Sequence, residues 1–247
     1  MEDALFSAFA DVEDRHWWFL ARREIVFGVA ERVLPAGSSV LDLGCGTGFV
    51  LARLQERYRA YGLDLSPIAL ELCRKRGLSQ VSLGSTEDLS ALGASRFQGV
   101  FLLDVVEHLD DDTGALRRVA GVLDPGGAVI VTVPAFMFLW SRHDEINEHR
   151  RRYTRATLAD LLHRGGFQLE QISYFNSYLF PLAAAGRVVG RLFGKHASGG
   201  LSVPPRPLNA LLRRIFLSER SRLLRSKGRD EFPFGLSLIA VGRRRPT

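Results

Sequence analysis

Cysteine is scarce: Cys45 and Cys73 are the 2 in 247 residues. They are too few for a disulfide framework, and their spacing matches neither a zinc site nor a redox pair. That scarcity suits a reducing cytoplasm. No apolar run approaches the roughly 20 residues that a membrane span needs. The N-terminus, Met1-Glu2-Asp3-Ala4-Leu5, lacks a basic region followed by an apolar stretch, so no secretory signal is expected. Repeats and low-complexity tracts are absent. His143 and His149 miss the i, i+4 spacing of a helical metal pair. With no cysteine cluster or carboxylate triad beside them, no metal is expected.

What is present begins with an ordinary globular composition, 46% hydrophobic, and a net charge of +6. The basic excess lies at Arg150-Arg151-Arg152 and from Arg187 to Arg229. Such asymmetry fits an anionic substrate, a membrane surface, nucleic acid or a plainly solvated face.

The most informative stretch is Val40-Leu41-Asp42-Leu43-Gly44-Cys45-Gly46-Thr47-Gly48. It reads as a buried strand ending in a glycine turn that opens a helix at Phe49. Glycines there let the backbone turn tightly and approach a ligand, and the helix N-terminus offers free N–H groups. Asp64 closes the next apolar run, about 20 residues past the first glycine, the usual offset for a carboxylate that grips ribose hydroxyls. A dinucleotide fingerprint has the wider G-x-G-x-x-G spacing. Asp42 before the turn repels a pyrophosphate and suits a cation. A nicotinamide dehydrogenase is therefore disfavoured.

The nine-residue string with Asp64 downstream resembles motif I of the class I S-adenosylmethionine-dependent methyltransferases. The resemblance implies an α/β, Rossmann-like sheet of seven mostly parallel strands with helices on both faces and the last strand antiparallel. It implies S-adenosyl-L-methionine as cofactor. It covers residues 38–175 and resumes at 235–243. The periodicities agree with an alternating fold. Strands are expected at 39–43, 60–65, 81–83, 99–103, 128–133, 169–173 and 236–241. Helices are expected at 17–34, 49–57, from Ser66-Pro67 to near Gly77, through Leu116, Val119 and Val122, and at 154–164. Three units follow: an N-terminal helical cap (1–37), the cofactor-binding domain (38–176 with 235–247), and a helical insertion or lid (177–234).

Expected cofactor contacts are Asp42, Gly44, Cys45, Gly46, Gly48, Asp64, Leu65, Asp104 and Val105. The resemblance adds Asp88 and Leu89 for the adenine. Cys45 reads as a small residue beside the ligand. Trp18, in His16-Trp17-Trp18-Phe19, offers an aromatic face to a sulfonium, and Arg22 a partner for a ligand carboxylate. Adjacent tryptophans are not expected to share one pocket. Asp104-Val105-Val106-Glu107-His108 follows the fourth strand, where His108 is either a base or a loop-holding residue. After the fifth strand, Asn147 to Thr154 resembles a branch of the family with a His-x-x-Arg-Tyr-like segment. His149 is the first candidate base there. Trp140, His143, Arg152 and Tyr153 are substrate-binding candidates.

The expected reaction is methyl transfer to an oxygen or nitrogen of a small-molecule, lipid-linked or glycan-type acceptor. The basic amphipathic 177–234 segment reads as a lid or a contact with an anionic membrane. The alternatives are an RNA or protein methyltransferase using the basic surface, and a non-catalytic cofactor-binding module. Base-directed nucleic-acid members carry Asn/Asp-Pro-Pro-Tyr after the fourth strand, and this chain has Asp104-Val105-Val106-Glu107.

Overall fold

Strands covered by helices on both faces must be apolar at successive positions, and the residues flanking the glycine turn meet that demand. The computed structural model describes residues 3–192, 202–225 and 232–245. β1 (Ser39–Leu43), β2 (Arg59–Asp64), β3 (Val81–Leu83), β4 (Phe97–Leu103), β5 (Leu123–Pro134), β6 (Phe167–Phe175) and β7 (Ser237–Arg244) form one 7-stranded sheet in the order β3-β2-β1-β4-β5-β7-β6. β7 runs antiparallel to β5 and β6, and the strands from β3 to β5 are parallel. Sequence order reverses between β1 and β4. The crevice beyond their carboxyl ends is where open α/β sheets take ligands.

Helices α1 (Asp3–Val12), α2 (Trp17–Val33), α3 (Phe49–Gln55), α4 (Pro67–Lys75), α5 (Asp112–Val122), α6 (Arg142–Ile146), α7 (Arg155–Arg164), α8 (Phe180–Leu192) and α9 (Arg206–Arg225) surround the sheet. Their ends follow local chemistry. Ser66 Oγ accepts the Ala69 N–H ahead of Pro67, and Thr154 Oγ1 accepts that of Thr157; each replaces a bond the helix cannot make for itself.

Strand bounds differ from expectation: β6 and β7 run past 169–173 and 241, to Phe167–Phe175 and Ser237–Arg244, and two starts come earlier than expected. β4 begins at Phe97 and β5 at Leu123, because these residues pair with each other ahead of an irregularity that precedes the Gly99–Ala128 pair. Residues 124–127 follow the preceding helix and lie within β5 as the irregular stretch between the paired Leu123 and Ala128. α1 falls within the expected N-terminal helical cap (1–37), and α6 is a further helix that the periodicity does not predict. α6 is a single short turn with a capping box between Ser141 and Asp144.

The parts outside the sheet pack on each other. Trp17 N–H donates to Asn209 Oδ1 at 2.9 Å, and the Trp17 and Phe216 rings meet edge-on at 6.0 Å. Arg220 Nε donates to the Glu24 carbonyl at 3.1 Å. α9 thus braces α2. Phe193, Lys195 and Arg229 lie outside the described residues, as do the side chains of Arg187, Val188, Val189, Arg191 and Leu192. Among the described residues no helix is long and apolar enough to cross a membrane.

Candidate active site

One cavity of about 1350 Å³ opens above the carboxyl ends of the strands. Its near wall is the glycine turn. Gly46 has φ +53°, and a Cβ there would meet nothing within 4 Å; the turn leaves open space where a ligand would press. Gly48 differs. Its Cβ would strike Leu78 Cδ1 at 2.5 Å and Cys73 Sγ at 2.9 Å, so it serves the packing of α4 and does not line the cavity. At Gly44 the missing side chain makes room for Val105.

Asp64 is 6% exposed at the cavity edge. Its Oδ2 accepts the Gly46 N–H at 2.8 Å and its Oδ1 the Ser66 N–H at 2.9 Å. Turn-capping and ligand-facing roles coexist, because a carboxylate has about four lone-pair sites. Burial raises its pKa despite those bonds. Burial also pushes Asp42 up to about 7, with Arg22 pulling down and Asp64 pushing up. A cation at this end would favour ionisation of both. Leu65, 70% exposed, forms an apolar lip.

Arg22 is already paired. Its Nη2 lies 2.8 Å from Asp104 Oδ2 and 2.8 Å from Thr132 Oγ1. Its Nε is buried without an acceptor among the described residues. A buried donor left open costs about 1–3 kcal/mol, so a ligand carboxylate has a ready place. The guanidinium carbon lies 5.2 Å from the Trp18 ring centre. Both Trp17 and Trp18 border the cavity, which corrects the helical-spacing expectation: the cavity is wider than one helix face, and Trp17 reaches it from the helix start.

Two expected cofactor contacts, Asp88 and Leu89, stand outside the cavity wall, as Gly48 does. Asp88 is exposed, outside the cavity wall, with Oδ1 accepting the Ser90 N–H at 2.9 Å; that bonding to Ser90 holds its pKa low. Leu89 packs on the core rather than the cavity. Cys45 borders the cavity, but its Sγ lies 4.0 Å from Cys73 Sγ. The sequence separation of 28 hid a pair that α4 folds back onto the turn. The hydrogen bond with Cys73, together with burial, pushes the Cys45 thiol pKa up.

α1 closes over this end. Glu13, 3% exposed, accepts from Thr47 Oγ1 at 2.5 Å and pairs with Arg76, whose Nε donates to the Thr47 carbonyl at 3.0 Å. No sequence signal short of tertiary contact indicated this latch.

The far wall is built on side-chain networks. Asp144 is fully buried. Arg152 grips it with Nε to Oδ1 at 2.7 Å and Nη2 to Oδ2 at 3.0 Å, and donates Nη1 to the Ala135 carbonyl at 2.9 Å. His149 Nδ1 lies 2.9 Å from Asp144 Oδ1. Burial works to raise the Asp144 carboxyl, but bonds from His149 and Arg152 outweigh it and hold it far below the carboxylate range. Asp144 lay within the stretch singled out from sequence but was given no role there; Ser141 three residues before it is the capping-box signal that marks it. His108 meets His149 edge-on at 4.8 Å, and burial with the His149 charge lowers it to about 4. Glu107 beneath them is fully buried, both oxygens lack a partner, and burial with the Asp104 charge raises its pKa well above the usual range. Glu107, His108 and His149 bring donor atoms within 4.8 Å of one another, a convergence that sequence spacing did not reveal.

Trp140 and His143 line this wall. Tyr153 does not: it is 4% exposed, and its hydroxyl donates to Asp112 Oδ2 at 2.9 Å. Burial and the Asp112 charge raise its pKa. It is a core residue. The triple arginine is paired with acids, although Arg150 is exposed and both Arg150 and Arg152 border the cavity. Arg150 pairs with Asp110, Arg151 with Asp112 at 3.0 Å, and Arg152 with Asp144.

A family model described as a methyltransferase domain matches residues 18–172. A relative from Xanthomonas axonopodis pv. citri, named ubiquinone biosynthesis O-methyltransferase, is 33% identical over 166 residues, covering 59% of this chain and 69% of its own length. Two solved structures share the fold. One is a complex of the Haloferax volcanii Trm112 methyltransferase activator with its partner (TM-score 0.62, 19% identity, 99% of this chain and 95% of that one). The other is the Burkholderia thailandensis 1,6-didemethyltoxoflavin-N1-methyltransferase, solved with 1,6-didemethyltoxoflavin and S-adenosylhomocysteine (0.53, 18%, 92% and 79%).

Proposed function

The chain belongs to the class I S-adenosylmethionine-dependent methyltransferases of the methyltransferase-domain family, and from that membership we propose that it methylates an oxygen of a small, largely apolar acceptor. The reading is carried by the cavity: one continuous space runs from the open turn at Gly46 to His149. Aromatic residues such as Phe9, Trp18, Phe19 and Trp140 border it. The O-methyltransferase name of the Xanthomonas relative supports oxygen as the target.

The cofactor, when bound, supplies an activated methyl on a sulfonium. Asp42 and Asp64 would hold its cationic and sugar parts, Arg22 Nε its carboxylate, and the turn around Gly46 its backbone-facing side. The chain's own work is to align, exclude water and take up a proton. Alignment contributes of order 7–11 kcal/mol in good cases. α1 and α2 cover the cofactor end. His149 receives the acceptor's hydroxyl proton as the oxygen gains the methyl, and such a base contributes about 10²–10⁴-fold.

Incubation with S-adenosylmethionine and matched phenols and amines, read by mass spectrometry, tests the reading. Methylated phenols are expected; methylated amines alone would overturn the oxygen assignment. His149→Gln is expected to slow transfer while leaving cofactor affinity intact.

An anionic membrane is the proposed source of the acceptor. Phe138 (56% exposed), Tyr178 (51%) and Leu182 (72%) are apolar surface, and α9 presents the exposed Arg213 and Arg214. Co-sedimentation with anionic vesicles is expected; its failure removes this source without touching the reaction.

A further inference from the structure

We infer that Asp144 is the positioning residue for the proton-accepting histidine: it holds the hydrogen on Nδ1 of His149 and leaves Nε2 as the ring's open acceptor at the cavity. This rests on the reading of His149 as the base and goes beyond it to the group that makes the ring competent.

The geometry is specific. Asp144 sits on α6, and its carboxylate receives Ser141 N–H at 2.7 Å, Ser141 Oγ at 3.2 Å, both Arg152 nitrogens, and His149 Nδ1 at 2.9 Å. Capping the helix requires the Ser141 contacts alone. The Arg152 fork and the imidazole are additional, and they come from the chain beyond the helix. An ionised carboxylate has no hydrogen to give, so the hydrogen between it and the ring belongs to Nδ1. In a neutral ring Nε2 then keeps its lone pair. Such a partner fixes ring rotation as well as tautomer.

Arg152 explains how a carboxylate can do this while wholly buried. A lone buried charge is costly, and a forked, two-bond pairing offsets it. The pair is anchored at a third point by Arg152 Nη1 on the Ala135 carbonyl, 2.9 Å away at the end of β5. The ring is thereby referenced to the sheet rather than to the loop that carries it. Other ionisable groups face the ring from separate segments: His108 edge-on at 4.8 Å, His143 at 6.2 Å from α6, and Glu107 beneath. Glu148 and Arg150 flank it in sequence.

Nitrogen-15 NMR of the histidine-labelled protein reads the tautomer directly, with the His149 signal assigned by its loss in His149→Gln. The neutral ring is expected to carry its hydrogen on Nδ1; a hydrogen on Nε2 would overturn the inference even if every Asp144 variant failed to fold. In kinetics, Asp144→Asn is expected to lower kcat by roughly 10–100-fold, less than the full contribution of a base, with KM and cofactor affinity held. The double variant with His149→Gln is expected to be no slower than His149→Gln alone; an additive further loss would assign Asp144 a separate role and reject positioning. Full activity in His149→Gln sinks the base reading itself. A slow His149→Gln beside a wild-type Asp144→Asn sinks positioning alone.

Discussion

The two walls of the cavity are made in different ways. The cofactor wall is main chain: a strand, a turn with positive φ, and N–H groups bonded to the adjacent Asp64. The acceptor wall is side chain: a buried carboxylate, an arginine fork and two imidazoles from separate segments. Backbone geometry depends on neighbours in sequence, so the first wall tolerates change except where no side chain is allowed. A polar network depends on every member being present, so the second fails when one is removed.

Gly46→Leu should have the largest effect. Its Cβ meets nothing in the empty protein, so the fold should lose only the roughly 1–2 kcal/mol of a side chain at positive φ. Calorimetric binding of S-adenosylhomocysteine should vanish. Gly48→Leu should instead depress the melting temperature through the collision with Leu78 and Cys73. Normal binding by the Gly46 variant would break the comparison at its first term.

On the other wall, Asp144→Ala leaves Arg152 buried beside an empty space. Chemical denaturation should show a loss of about 3–5 kcal/mol. If the protein remains as stable as before, the second wall is not a network.

The third test uses pH. Glu219 is fully buried, accepts Ser177 N–H at 2.7 Å and Tyr178 N–H at 2.9 Å, and burial raises it from 4.5 to about 7. Below the unfolded value the carboxyl is protonated in both states. As pH rises through the window to about 7, the unfolded chain ionises first, and stability is lost across that interval. Melting temperatures at acidic and mildly alkaline pH should therefore fall further in the wild type than in Glu219→Gln. Equal falls would show that this carboxyl, which ties α9 to the chain after β6, does not titrate.

Leu65→Ser should matter least. Its exposed side chain supports no core, so cofactor affinity should weaken by a few fold with no change in melting temperature. A large drop in stability would show that the cofactor wall also depends on its side chains.

This contrast also explains what was legible in the amino acids. Val40 to Gly48 announces its strand and turn locally, and Asp42, Gly44, Gly46, Asp64 and Leu65 all border the cavity. Asp88 carries over from the family pattern, and the structure places it exposed, outside the cavity wall. Tyr153 looked like a polar loop residue because nothing local shows the Asp112 that meets it 41 residues away. The triple arginine looked like an open basic patch for the same reason: its acids come from 110, 112 and 144. Strand starts at Phe97 and Leu123 depended on each other and on no local signal.

The placement of β7 between β5 and β6 has a consequence for how the chain assembles. Residues 167–175 have no neighbour in the ladder until residues 237–244 arrive, so that flank is zipped last, after everything between them has been looped out. The entropy of closing a loop grows only logarithmically, about 0.6 kcal/mol for each doubling in length. Length can therefore be added between these two strands, away from the fully buried Phe216, Glu219 and Leu223, at small thermodynamic cost.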